Sequence, residues 1–126
     1  MGPYGERWSL LVRRGEIRLV DLEPVRGSAA NKRRPAIIVS NDGANGSANR
    51  TQRGVITIVP ITSNTDRVYP FQVFLPASES GLDRDSKAQA EQVRSLSVTR
   101  MGELVGALSP TLLASLNEAL RLHLAL

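Results

Sequence analysis

The 126-residue sequence contains no cysteine and a single histidine, His123. The first absence excludes disulfides, thiolate nucleophiles and cysteine-ligated zinc, and it suits a reducing compartment. The second excludes a paired-histidine nuclease. His123 itself falls in the last turn of a predicted C-terminal helix, where a polar or cationic residue is commonplace. No apolar run approaches the roughly 18 to 20 residues of a membrane helix. Gly2, Pro3, Gly5, Glu6 and Arg7 stand where a signal peptide would be apolar. The expectation is a cytoplasmic protein with no membrane association. The acidic residues form no recognisable metal cluster: Asp83 and Asp85, in Gly81-Leu82-Asp83-Arg84-Asp85, read as a turn rather than a two-metal site. No metal or other cofactor is expected.

What is present is an uneven basic charge. The formal charge is +4, yet from Arg13 to Arg53 there are nine basic and four acidic residues, against six and seven from Gly54 to Leu126. A basic field concentrated in one third of a chain suits a polyanion, nucleic acid being the commonest one in cytoplasm; a solvated basic loop is the alternative. The length fits one domain. Residues 1–12 read as an N-terminal extension and residues 13–126 as the domain, because the periodic pattern starts at Arg13-Arg14-Gly15-Glu16-Ile17.

Strands are expected at Glu16–Leu22, Pro35–Ser40, Val55–Thr62, Tyr69–Leu75, Lys87–Leu96 and Leu104–Leu108. Glu23 to Arg33 and Asn41 to Arg53 read as polar loops, the second rich in glycine and asparagine. Val55–Thr62 is the strongest strand signal, although Pro60 suggests an edge or a bulge. Only the end of the chain is clearly helical, with Ser109 as N-cap, Pro110 at the first helical position and Leu112, Leu116 and Leu120 in a stripe. The predicted fold is mostly β, a small antiparallel barrel with a C-terminal helix. Tyr69, Phe71 and Phe74 share one predicted strand and read as core, with stacking on an unpaired base as the alternative.

Any phosphodiester chemistry here would rest on guanidinium, hydroxyl and amide groups. Asn31-Lys32-Arg33-Arg34-Pro35 brings three cations to the start of one buried strand, and Pro60-Ile61-Thr62-Ser63-Asn64 brings two hydroxyls and an amide to the end of another. If those strands run antiparallel side by side, a guanidinium fork and hydroxyl donors converge on a cradle fit for a phosphate. A strand-end arginine and a β-forming threonine with no further role remain the plain alternative.

The order of these segments resembles the MazF/PemK/Kid toxin family over nearly all of residues 13–126. Arg14-Gly15-Glu16-Ile17 with Asp21-Leu22-Glu23-Pro24-Val25-Arg26-Gly27-Ser28 resembles the family's first strand and loop. Arg34-Pro35-Ala36-Ile37-Ile38-Val39-Ser40 is similar to its arginine-proline strand, and Pro60-Ile61-Thr62-Ser63 to its second hallmark. Tyr69-Pro70-Phe71-Gln72-Val73 and Ala90-Glu91-Gln92-Val93-Arg94-Ser95-Leu96 resemble two further segments, in the same order. The resemblance implies an SH3-like (PemK-like) barrel that forms a homodimer and cuts single-stranded RNA at short sequences without metal, leaving a 2′,3′-cyclic phosphate and a 5′-hydroxyl. It implies Arg34 and Thr62 as catalytic residues. RNA contacts are expected from Arg26, Lys32, Arg33, Ser40, Asn41, Ser63, Gln92 and Arg94, with Ser40 and Asn41 near the same rim. A cognate antitoxin with an acidic, flexible tail is the implied protein partner.

Two departures stand out. Ala29 follows Gly27-Ser28 where many relatives carry an acid, and Arg33 precedes the hallmark arginine where relatives vary. Two other readings stay open. One is a non-enzymatic toxin similar to CcdB, which poisons DNA gyrase, although Arg121–Leu126 lacks that protein's terminal tryptophan and isoleucine. The other is a basic barrel that binds RNA without cutting it.

Overall fold

The longest stretch of β-branched residues organises the structure. The computed structural model describes residues 12–22 and 33–126. Its strands are β1 (Glu16–Asp21), β2 (Arg33–Ile38), β3 (Val55–Thr62), β4 (Gln72–Leu75), β5 (Ser86–Gln89), β6 (Arg94–Ser97) and β7 (Met101–Ala107), with helices α1 (Asp42–Thr51) and α2 (Pro110–Leu124). Every residue of β3 except Pro60 is β-branched, and branched side chains fit a pleated surface that is covered on both faces.

One edge of β3 pairs with β2, with Ala36 opposite Pro60 and Ile38 opposite Ile58. The other edge is shared: Val55–Ile58 pair with β6, and Ile61 and Thr62 with β5. Pro60 is therefore interior, which corrects the edge or bulge suggested by its sequence. The Val39 N–H donates to Thr57 O at 2.9 Å, so the hydrogen-bonded pairs of this ladder fall at odd-numbered residues. The missing N–H of Pro60 then points to the opposite edge, in the gap between the two partners, where no strand requires it.

The strand order is β4-β5-β3-β2-β1-β7, all antiparallel, with β6 also on β3. The mostly β architecture with a terminal helix agrees with the expectation, but the seven-stranded sheet is not closed: β4 and β7 remain its ends. Alternation along the strands divides the apolar residues between two faces. Ile17, Ile37, Val59, Ile61 and Leu75 meet Leu116 and Ala119 of α2. Val20, Ala36, Ile38, Ile56 and Ile58 meet Ala48 of α1.

Helix α2 follows the sequence closely. Leu112 N–H donates to Ser109 Oγ at 3.2 Å, Pro110 opens the first turn, and Leu116 is fully buried between the half-buried Leu112 and Leu120. Helix α1 was not expected, since glycine and asparagine are poor helix formers. It is held by its ends and one side chain instead. Asn41 Oδ1 caps Ala44 N–H at 2.8 Å, Gln52 closes the C-terminus at φ 56°, and the fully buried Asn45 amide donates to Ser40 O at 2.8 Å.

Other boundaries differ, β2 running over Arg33–Ile38 rather than Pro35–Ser40. The Tyr69 carbonyl accepts Gln72 N–H in a turn, so β4 starts at Gln72. A 3₁₀ turn at Ala90–Gln92 splits the expected Lys87–Leu96 strand, and β7 begins at Met101 rather than Leu104. Among the described residues no helix is long and apolar enough to cross a membrane.

A candidate phosphate cradle at the ends of β2 and β3

The antiparallel pairing of β2 and β3 brings the two hallmark segments together. Continuing the Ala36–Pro60 register by two residues places Arg34 opposite Thr62. Both line a cleft of about 690 Å³. The same cleft is bordered by Ile61, Leu82 and Val105, which belong to or pack against the first core.

Each group is left available by its surroundings. The Arg34 side chain is exposed and, among the described residues, takes part in no hydrogen bond or ion pair. The half-buried Thr62 accepts Asn64 N–H on Oγ1 at 3.2 Å, and Asn64 Oδ1 in turn accepts Asp66 N–H at 3.2 Å. These turns fix the oxygen of Thr62 and leave its O–H to donate outward. A fixed hydroxyl facing an unpaired guanidinium is suited to hold the oxygens of a phosphodiester and to stabilise charge that develops on it.

The remaining expected contacts are dispersed. Ser63 is exposed and lines the same cleft. Arg33 does not. It lines a separate cleft of about 500 Å³ together with Arg18, Gly102 and Glu103. Ser40 and Asn41 sit beyond the other end of β2, about six residues or roughly 20 Å along an extended chain from Arg34, so the shared rim expected for them is corrected. Ser40 Oγ accepts Thr57 N–H at 3.1 Å and Asn41 caps α1, which gives both a structural use. Gln92 ends the 3₁₀ turn and Arg94 opens β6 opposite Ile58; both are exposed, and neither lines the Arg34–Thr62 cleft. Arg26 and Lys32 lie outside the described residues.

Sequence reasoning passed over one wall of the cleft. Asp83 and Arg84 line it, from a segment set aside as a turn. It is a turn, and its position follows from Gly81. That residue takes φ +80°, and a Cβ there would stand 2.6 Å from Val105 O, so the segment lies directly against β7. Asp85 accepts Ala77 N–H at 2.9 Å and holds the turn from its other side. Among the described residues no group of three histidine, cysteine, aspartate or glutamate side chains could hold a metal ion.

The aromatic residues also differ from expectation. Tyr69 and Phe74 are 41% and 42% exposed rather than core. Tyr69 stacks on Phe71 with ring centroids 5.3 Å apart, and the Arg67 guanidinium lies 5.7 Å from the Tyr69 centroid.

Residues 13–124 match the sequence model of a family described as PemK-like, MazF-like toxin of type II toxin-antitoxin system. The chain is 58% identical over 116 residues to Endoribonuclease MazF9 of Mycobacterium tuberculosis, covering 92% of this chain and 98% of that one. It is 32% identical to Endoribonuclease MazF of Staphylococcus saprophyticus over 117 residues, covering 92% and 93% respectively. The crystal structure of MazE-MazF from Deinococcus radiodurans superposes with a TM-score of 0.72 at 27% identity, covering 92% of this chain and 98% of that chain.

Proposed function

Because this chain belongs to the PemK-like, MazF-like toxins of type II toxin-antitoxin systems, we propose that it is a sequence-specific endoribonuclease that cuts single-stranded RNA without a metal ion. The single observation that carries this reading is the opposition of Arg34 and Thr62 across two paired strands at the mouth of one cleft. RNA is the polymer that this pair suits, since it carries its own nucleophile. The ribose 2′-hydroxyl lies beside the scissile phosphate and gains from that proximity. Its attack on phosphorus forms the 2′,3′-cyclic phosphate as the P–O5′ bond breaks; the proton leaving O2′ passes to water and O5′ takes one from water, which releases a 5′-hydroxyl.

Arg34 binds the non-bridging oxygens and offsets the added negative charge in the transition state. Thr62 donates its hydroxyl to one of those oxygens and fixes the phosphate. An arginine stays protonated in proteins, so its role here is electrostatic rather than that of a base. Residues 13–126 form the catalytic unit. It acts in the cytoplasm as a homodimer, and a cognate antitoxin inhibits it by laying an acidic flexible tail over the cations that RNA would use.

Incubating the purified protein with a long RNA in excess EDTA tests this reading. Discrete fragments with cyclic-phosphate 3′ ends are expected. Intact RNA under EDTA, with cleavage restored by a divalent ion, would contradict metal independence, and intact RNA under every condition would favour a toxin that binds without cutting.

A further inference from the structure

Lys87 is the one lysine among the described residues, and it is 8% exposed. Among those residues no carboxylate forms an ion pair with it. A buried cation with no counter-charge is costly to hold, and an apolar side chain would fill the same space without that cost. What surrounds it is polarisable rather than anionic. The ammonium donates to Arg67 O at 2.5 Å and lies 5.9 Å from the Tyr69 ring centroid, beneath which Phe71 is stacked. Arg67 lies against the same ring.

The register gives this site its meaning. Lys87 is the direct partner of Thr62 in the β3–β5 ladder and of Phe74 in the β4–β5 ladder. Directly paired residues share a face, so Arg34, Thr62 and Lys87 form one row across three neighbouring strands. The spacing between strands is about 4.8 Å, which puts Lys87 on the far side of Thr62 from Arg34 and about 10 Å from Arg34. Its ammonium turns away from Thr62 toward the Arg67 loop, so the anion it meets is a neighbour of the one held at Thr62. One ammonium N–H is engaged with Arg67 O and two are left for that anion.

We propose that Lys87 binds the RNA phosphate next to the scissile one, with Tyr69 and Arg67 positioning its ammonium. This rests on the reading of Arg34 and Thr62 as the cleavage site. It extends that site along β5, so the enzyme grips two successive phosphates from one row of side chains.

The test compares Lys87→Met and Lys87→Arg with the unaltered protein on an RNA carrying a 2′-deoxy nucleotide at the cleavage position, so that binding is read without turnover. Each phosphate contact on a single strand contributes about 0.7 to the slope of log affinity against log salt. Lys87→Met should therefore lower the slope by about 0.7 and weaken binding by about tenfold or more, the scale of a lost hydrogen bond to a charged group. On cleavable RNA its KM should rise by more than its kcat falls. Lys87→Arg should keep most of the slope. The melting temperature of Lys87→Met without RNA should be equal to or above that of the unaltered protein, because a buried cation has been removed. An unchanged slope and affinity would overturn the proposal, and so would a lowered melting temperature with the slope intact, which would make Lys87 a structural residue. Arg34→Ala separates the two readings. If it still cleaves, the underlying reading fails; if it is inactive while Lys87→Met binds RNA normally, only the second phosphate contact fails.

Discussion

Replacing Thr62 with valine removes one hydroxyl and little else, which makes it the sharpest single perturbation of the cradle. Valine matches the threonine shape and favours a strand as strongly. Among the described residues only the Asn64 N–H, which donates to Oγ1 at 3.2 Å, is deprived of its acceptor, and Asn64 is exposed, so water can take that place. The stability change should be about 1 kcal/mol or less, a few degrees of melting temperature at most. The catalytic change should be far larger. A single preorganised donor to developing charge is worth about 2.7 to 4 kcal/mol, or about a hundred- to a thousandfold in rate. Thr62→Ser keeps the hydroxyl and should recover most of the activity, with a modest loss because serine is freer to rotate. Initial rates on a short fluorescent RNA, read alongside melting curves for all three proteins, separate chemistry from folding. A Thr62→Val protein with the parental melting temperature and a rate within a few-fold of normal would refute the donor role.

Arg34→Ala should lower kcat by about a hundredfold or more for the same electrostatic reason, and Arg34→Lys should recover only part of it because a point charge cannot form the bidentate fork; single-turnover rates on the same RNA measure both. Asn45→Ala should destabilise the fold by about 2 kcal/mol, since it leaves the Ser40 carbonyl without its side-chain donor and empties a fully buried site beneath α1. Urea unfolding would check this, and a midpoint equal to the parent's would show that α1 does not depend on that amide.

The strands were legible where side-chain shape decides the outcome. Val55–Thr62 and the apolar part of β2 announce themselves through branched residues buried on both faces, and Ser109-Pro110 marks the start of α2. The site was legible to the same extent, because Arg34 and Thr62 flank two such strands and any antiparallel pairing of them brings those residues together. Helix α1 was not, since its stability comes from the Asn41 cap, the buried Asn45 amide and the packing of Ala48 against β3 rather than from helix propensity. Nor was the Ala90–Gln92 turn, which lets one chain segment pair with β3 twice, through β5 and again through β6. Lys87, Asp83 and Arg84 were out of reach for a related reason. Nothing in their own neighbourhood signals that β5 docks beside Thr62 or that Gly81 presses its loop onto β7; those are facts of long-range register. Arg33 was misplaced because its sequence proximity to Arg34 conceals that the two side chains line different clefts.

In the proposed reaction the substrate supplies the nucleophile while Arg34 and Thr62 stabilise the charge. An RNA with one 2′-deoxy nucleotide on the 5′ side of the scissile bond removes that nucleophile. That RNA should bind with an affinity close to the all-ribose control, because the phosphates are unchanged, and it should resist cleavage at that bond by at least a thousandfold, given the effective molarities of about 10⁵ M and above that intramolecular attack provides. Cleavage of the substituted RNA at a rate near that of the control would mean that water or a protein group attacks phosphorus, and would contradict the account.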